Sequence, residues 1–378
     1  MSSETPGLRP VWGEVDLGAL RANTRVLAER ARPAALLAVV KADAYGHGAL
    51  PVARAALDAG ATWLGVALVA EGAALREAGI EAPILVLSEP APAAAGAVVA
   101  HGLTPVVYTP VAIEALAKAV VDAGGGTALA VHLKVDTGMH RAGCTVGDAL
   151  GLVDAIGARP ELVLEGICTH FAVADEPGHP YTVDQMASFD ALLADLERAG
   201  KRPPLVHAAN SAGLLASPTA DYDLVRVGIG LYGVPPSEAL ADHADLQPVL
   251  SLHARVAHVK DLPAGSRVSY GLRYELDRAA RIVTIPVGYA DGVPRNLGLV
   301  GGEVLVRGRR CPVAGAVTMD QLMVDVGDLP VEAGEDVVLL GRQGDEEITA
   351  GEWARRLGTI AYEIVTGIGP RVPRQYVG

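Results

Sequence analysis

Between Val11 and Tyr232, short apolar runs with strand character alternate with amphipathic runs of helical period, and this rhythm limits the fold more than any other feature. The strand candidates are LLAVVK, WLGVAL, PILVLS, LTPVVY, LAVHLKVD, LEGICTH, PLVHAAN and LVRVGIG. They recur about every 20–35 residues, the spacing of the βα units that make parallel sheets. Asp16 is a candidate N-cap for a helix burying Leu17, Leu20 and Leu27. DQMASFDALLADLERAG sets Met186, Phe189, Leu193 and Leu196 on one face and stops at Gly200.

Eight such units predict a (β/α)8 barrel, with an open doubly wound sheet as the alternative. The strand VHLKVD helps choose. Val131, Leu133 and Val135 share one face, and His132, Lys134 and Asp136 the other. An open sheet covered on both sides by helices is apolar on both faces, whereas a closed barrel can turn a polar face inward toward a site. After about Ala244 the rhythm changes. LSLHARV and QLMVDV alternate at period two, and short runs such as GEVLVRG and EDVVLLG are separated by turn residues. These features predict a mostly antiparallel β domain, with a helix near AGEWARRLG and a last strand at AYEIVTGI. The expected boundaries are 11–240 for the barrel and 241–378 for the β domain, with residues 1–10 packing with the latter.

A chain of 378 residues with 50% hydrophobic residues can bury two cores. Its net charge of −13 and scattered basic residues argue against nucleic acid and anionic membranes as partners. No apolar run is long enough to span a bilayer, and the first residues lack the apolar core of a signal peptide, so a cytoplasmic protein is expected. Cys144, Cys168 and Cys311 are isolated, with neither metal-ligand nor disulfide spacing, and read as reduced thiols.

Barrel active sites sit at the C-terminal ends of the strands. Those ends carry Lys41, Lys134 with Asp136 and Arg141, His170, Asn210 with Ser211, and Arg226 before GIG. A lysine on a rigid strand can form a Schiff base with an aldehyde, or it can be a rim lysine that reaches for water. The backbone of RVGIG can cradle a phosphate, or simply turn from strand to helix. Tyr45 can add a hydroxyl to that phosphate. Together these residues fit a pyridoxal phosphate site. An arginine facing the pyridine nitrogen keeps its own proton and weakens the ring as an electron sink, which disfavours long-lived carbanions. The plain alternative for Arg226 is a salt bridge inside the barrel, with Asp136 as the partner.

At these residues the chain resembles bacterial alanine racemase. AVVKADAYGHG is similar to that family's cofactor-lysine motif. KVDTGMHRAG, THFA, NSAG, RVGIGLYG, VSYG, GYADG, TMDQ and PRVPR follow in the family's order. The resemblance implies a (β/α)8 barrel followed by a β domain, pyridoxal 5'-phosphate as cofactor, L- and D-alanine as substrates, and a homodimer whose sites draw on both subunits. It makes Lys41 the cofactor-bearing lysine and one base, and Tyr270, donated by the partner subunit, the other. Tyr45, Ser211, Gly228, Ile229 and Tyr362 hold the phosphate, and Asn210 lies beside them. Arg226 meets the pyridine nitrogen and Arg141 the phenolic oxygen. Arg141, Met319, Asp320 and Tyr289 face the substrate or its entrance. His170 tunes Tyr270 or Arg226, and Lys134 occupies a position that is often carbamylated. Thr318 departs from the cysteine many members carry before Met-Asp.

Plainer roles remain open for single residues. His47 can bond backbone in its loop, Lys134 can pair with Asp136, and Asn210 can satisfy strand-end amides. The implied activity is racemisation of alanine for peptidoglycan. The alternatives are a racemase of the same fold for serine or many amino acids, a decarboxylase of the same architecture, and a non-catalytic pyridoxal phosphate carrier. Arg226 speaks against the decarboxylase, which places an acid at the pyridine nitrogen. The β domain speaks against the single-domain carrier.

Overall fold

Eight parallel strands run in the order Leu224–Val227, Ala35–Val39, Trp63–Val66, Ile84–Val86, Thr104–Val107, Leu129–Asp136, Leu162–Cys168 and Leu205–His207. The computed structural model describes residues 9–216 and 221–378. The last strand meets the first through Asp223 N–H to Val206 O at 2.9 Å and Arg226 N–H to Ala209 O at 3.0 Å, with a bridge between Asn210 and Arg226. The sheet therefore closes on itself, and helices follow the strands as the apolar periodicity requires. Asp16 caps its helix, accepting the Ala19 N–H at 2.8 Å. The helix Pro180–Arg198 buries Phe189, Leu192, Leu193 and Leu196, and Gly200 beyond it has a φ of +64°. Phe189 stands edge-on to Tyr222, with ring centroids 5.7 Å apart.

Contacts divide the chain into a barrel unit, 20–44 with 49–247, and a β unit, 9–19, 45–48 and 248–378. The β unit contains two main sheets. One orders Arg309–Pro312, Glu303–Val306, Asp336–Gln343, Leu250–Arg255, Val11–Asp16 and Arg374–Val377. The other orders His258–Leu262, Ala280–Ile285 and Leu322–Gly327. Pairing is antiparallel except between Val11–Asp16 and Arg374–Val377. Burial alternates along Leu250–Arg255 and Leu322–Gly327, as their period-two pattern requires.

Four details differ from the sequence expectation. The sequence boundary puts 241–247 in the β domain, whereas contacts group them with the barrel unit. Residues 11–19 were assigned to the barrel, but Val11–Asp16 is a strand of the β unit, because its alternating buried face pairs with Leu250–Arg255. Tyr45–Gly48 also belongs to the β unit, where the Arg374 guanidinium donates to Gly46 O at 2.8 Å. AYEIVTGI is no strand: Ala361–Gly367 is a helix burying Ile364 and Val365, so packing overrides the β-branched composition. Residues 1–8 lie outside the described residues. Arg9 and Pro10 do bond within the β unit, through Arg9 to Asp291 and Arg255 N–H to Pro10 O. Cys144, Cys168 and Cys311 are buried and unbridged. No helix of the described residues is long and apolar enough to cross a membrane.

Phe189 is fully buried, so Phe189→Ala leaves a cavity that the helix cannot close. The expected loss is about 3–5 kcal/mol in urea unfolding, with secondary structure retained below the transition.

Candidate active site

The strand Ala35–Val39 ends at Val40, and Lys41 begins an unusual turn. Ala42, Asp43, Ala44 and Tyr45 have φ values of 52°, 51°, 53° and 54°, four successive L-residues in left-handed space. Each such residue costs roughly 1–2 kcal/mol. Three hydrogen bonds hold the turn. Ala44 N–H reaches Val40 O at 2.9 Å, Ala42 N–H donates to Glu71 Oε1 at 2.7 Å, and Asp43 Oδ1 accepts the Ala49 N–H at 2.7 Å. Glu71 Oε2 also accepts from Ala67 and Leu68 at 2.8 and 3.0 Å, which ties the turn to the end of the next strand. The strain fixes where the Lys41 side chain departs.

The Lys41 amine has no hydrogen-bond or ion-pair partner among the described residues. Burial lowers its pKa and the Arg141 charge lowers it further, while Glu71 partly opposes them. A lysine so perturbed spends more time as the neutral amine that attacks a carbonyl. Lys134 is lowered first by burial, with Arg226 and Arg141 adding to the effect. His170 is held well below its usual value by burial and by the charges of Arg226, Arg141, Lys134 and Lys41. Four cationic side chains thus act on one imidazole, a setting suited to a multiply charged anion.

Arg226 is buried and donates to Thr169 O at 2.9 Å, Ala208 O at 2.8 Å, His207 Nδ1 at 2.8 Å and His170 Nδ1 at 3.1 Å. It makes no salt bridge with Asp136, whose Oδ1 accepts the N–H groups of Gly138 and His140 at 2.9 and 3.0 Å. Lys134 makes no ion pair with Asp136 either, among the described residues. Because a guanidinium only donates, His170 Nδ1 must accept, and the His170 proton sits on Nε2. Ser211 Oγ accepts from the Gly228 and Gly230 amides at 3.0 and 3.2 Å, which leaves its hydroxyl proton to donate. Ile229 opens a 3-10 turn, Ile229–Tyr232, whose first N–H groups point out of the turn. Asn210 Oδ1 accepts the Gly213 N–H at 2.9 Å, so it bonds the first turn of the helix Ser211–Ala216 rather than a strand-end amide. An aldehyde bearing a phosphate and a basic ring nitrogen fits this donor set: a depressed amine without a partner among the described residues, a hydroxyl donor at a glycine turn, and a buried arginine.

In the β unit, Tyr45 is buried beside Tyr362, with ring centroids 6.2 Å apart. Burial pushes the Tyr45 phenol up to about 12, so it remains a donor at neutral pH. His47 Nδ1 lies 3.0 Å from Tyr45 O, the backbone contact expected for it. A cleft of about 530 Å3 is lined by Tyr270, Tyr289, Arg295, Thr318, Met319 and Asp320. Tyr270 is 72% exposed, on a turn whose neighbours Ser269, Gly271 and Leu272 all have positive φ. Ser269 Oγ anchors that turn to Ala316 O at 2.5 Å. The Tyr289 and Ala290 amides bond Thr318 O and Met319 O at 3.0 Å each. A Cβ on Gly288 would collide with those carbonyls, so GYADG needs its first glycine to lie against TMDQ. Thr318 donates its hydroxyl to Gln321 O at 2.7 Å, which keeps the same segment turned.

Sequence reasoning missed Glu71, His207, Asp291 and Arg371. Asp291, fully buried, accepts both Arg9 terminal nitrogens at 2.6 and 2.5 Å and the Gly288 N–H at 2.9 Å. Arg371 lies 3.3 Å from Asp291 and 2.7 Å from Asp320, so it joins the buried anchor to the exposed cleft. The PRVPR ending was a signal for this pair, since its second arginine, Arg374, is committed to backbone carbonyls. Burial alone would raise the Asp291 carboxyl. The Arg9 and Gly288 hydrogen bonds and the two guanidinium charges outweigh it and hold the group below the ordinary range. Stability from Asp291 is therefore present at neutral pH and is lost as pH falls below about 4. Asp291→Asn should cost about 1–3 kcal/mol at pH 7 in urea unfolding, and the gap to the parent protein should narrow at pH 3.

Residues 15–236 match the family described as alanine racemase, N-terminal domain, and residues 249–376 match alanine racemase, C-terminal domain. Alanine racemase of Symbiobacterium thermophilum is 52% identical over 373 residues, covering 98% of each chain. The crystal structure of alanine racemase from Streptomyces lavendulae superposes with a TM-score of 0.93 at 43% identity, covering 99% of this chain and 98% of that one. Histidine racemase from Leuconostoc mesenteroides superposes at 0.89 with 33% identity, covering 98% of this chain and 99% of that one. With both halves matched in order and the relatives aligned over nearly their whole length, the chain belongs to the alanine racemase family.

Proposed function

We propose that the protein is a pyridoxal 5'-phosphate-dependent alanine racemase that interconverts L- and D-alanine with two bases, Lys41 and Tyr270. The observation that carries this reading is Arg226: a buried arginine held by neutral acceptors, at a barrel mouth where the Lys41 amine has no partner among the described residues. When bound, pyridoxal phosphate supplies a conjugated electron-withdrawing ring that acidifies the α-carbon of an attached amino acid.

The protein's own residues divide the rest. Lys41 Nζ, depressed by burial and Arg141, holds the cofactor and exchanges the α-proton on one face. The Tyr270 hydroxyl, brought by the partner of a homodimer, exchanges it on the opposite face. To give up and regain a proton there, the Tyr270 hydroxyl needs a hydrogen-bond donor beside its oxygen. His170 Nε2–H is that donor, since its Nδ1 is committed to Arg226. Arg226 would face the ring nitrogen of the bound cofactor and, because a guanidinium keeps its own proton, would leave that ring a moderate electron sink and favour rapid return of the α-proton. Tyr45, Ser211, Gly228, Ile229 and Tyr362 bind the phosphate, with Asn210 fixing the Ser211 helix. Arg141 would meet the cofactor's phenolic oxygen and the substrate carboxylate, and a carbamate on Lys134 would orient it. Met319 and Asp320 face the substrate across the subunit boundary, with Tyr289 at the entrance. The exposed Tyr270, Leu272, Tyr289 and Met319 supply apolar surface for that boundary. In the cell the enzyme supplies cytoplasmic D-alanine for peptidoglycan.

The relative named histidine racemase makes side-chain breadth the point to test. Incubating the enzyme with L-alanine and pyridoxal phosphate in heavy water should yield D-alanine carrying α-deuterium, with L-serine and L-histidine turning over at least tenfold more slowly. Tyr270→Phe should lower racemisation by at least tenfold, equally in kcat/KM for both directions because the equilibrium constant is one, while α-deuterium still exchanges into one enantiomer alone. Unlabelled, unchanged L-alanine with the parent protein, or undiminished racemisation by the variant, contradicts the two-base reading.

A further inference from the structure

Behind Arg226 the barrel interior holds a line of polar side chains that the proposed reaction leaves without a task. His207 Nε2 lies 2.8 Å from His132 Nδ1, and His132 Nε2 lies 3.2 Å from Glu165 Oε2. Both imidazoles are fully buried, whereas the Glu165 side chain is 31% exposed, so the line runs from the centre of the barrel toward solvent. Glu165 is three residues upstream of Cys168 on the strand Leu162–Cys168, about 10 Å back from the strand end.

The line has only one hydrogen-bond direction. Arg226 can only donate, so His207 Nδ1 accepts and the His207 proton lies on Nε2. That proton points at His132 Nδ1, which must then accept, and the His132 proton lies on Nε2, facing the Glu165 carboxylate. Burial lowers both histidines, with the Arg226 charge adding to it, and the Glu165 contacts raise His132 only in part. Both rings are therefore neutral at pH 7. The backbone is shaped around them: a Cβ on Gly166 would stand 2.6 Å from His132 Nδ1 and Cε1, and Trp63 covers the ring with centroids 5.7 Å apart.

We infer that Glu165 is a positioning residue for Arg226: as the terminal acceptor it fixes the Nε2–H tautomer of His132 and His207, and so keeps a lone pair in front of the guanidinium. Without an acceptor at 165, the His132 Nε2–H is a buried donor with no partner. Relieving it by moving the proton to Nδ1 turns a donor toward His207 and reverses the line. Arg226 then loses an acceptor and drifts from the ring nitrogen. This rests on the proposed function for its effect on rate, but the tautomers are set by Arg226 at one end of the line and Glu165 at the other.

The test is long-range proton–nitrogen NMR of the cofactor-loaded enzyme carrying nitrogen-15-labelled histidine. The parent protein should show both rings neutral with the proton on Nε2 from about pH 6 to 8. Glu165→Leu should lose that single tautomer in at least one ring, and kcat should fall about tenfold while KM stays within about twofold. Glu165→Gln, whose carbonyl still accepts, should restore the tautomer and most of the rate. A proton on Nδ1 of either ring in the parent protein overturns the inference. So does a Glu165→Leu enzyme with both tautomers and kcat unchanged, or, should that variant not fold, a Glu165→Gln enzyme with Nδ1–H on either ring. Correct tautomers in a protein that racemises nothing would refute the proposed function and leave the role of Glu165 standing.

Discussion

A guanidinium buried without a carboxylate partner among the described residues is the constraint on which the site depends. Desolvating Arg226 is costly, and the fold answers with four neutral acceptors, two carbonyls and two imidazoles, drawn from strand ends at Thr169, His170, His207 and Ala208. A carboxylate partner would hold the arginine more tightly, but it would cancel the charge that the ring nitrogen of the proposed cofactor would meet. Neutral acceptors keep Arg226 in place and leave its charge available. The same choice commits His170 Nδ1 and frees its Nε2–H for the site. One buried cation therefore sets the hydrogen-bond direction of everything around it.

The left-handed turn after Lys41 is the second constraint. Four residues without glycine's freedom remain in strained backbone because Glu71 and Asp43 bond their neighbouring amides. The strain is tolerated where it fixes a reacting group. The β unit uses the same device around Tyr270, where Ser269 and Leu272 also have positive φ and a single hydroxyl anchors the turn.

Much of this was legible in the chain. The βα rhythm specified the barrel because each strand must bury both flanks against neighbours of its own kind. The polar face of VHLKVD pointed to a site inside it, and the lysine, the glycine turn and Arg226 stood at strand ends, where barrels keep their chemistry. What was not legible depends on partners distant in sequence. Nothing near Glu71 marks it as the acceptor for Ala42, 29 residues earlier, and nothing in KADAY signals left-handed backbone. His132 was seen only as an inward polar residue, because its partners His207 and Glu165 lie 75 and 33 residues away. Ala361–Gly367 was misread because Ile364 and Val365 favour a strand until the surrounding residues bury them as one face of a helix.

On the proposed function, the Lys41 amine, without a partner among the described residues and depressed by burial beside Arg141, is the group this barrel offers to a carbonyl. Reducing the protein with borohydride in the presence of pyridoxal phosphate, then mapping the modified peptide by mass spectrometry, tests it most directly. The account predicts one pyridoxyl group per chain, on Lys41. A label on Lys134 or on surface lysines, with Lys41 unmodified, would contradict it.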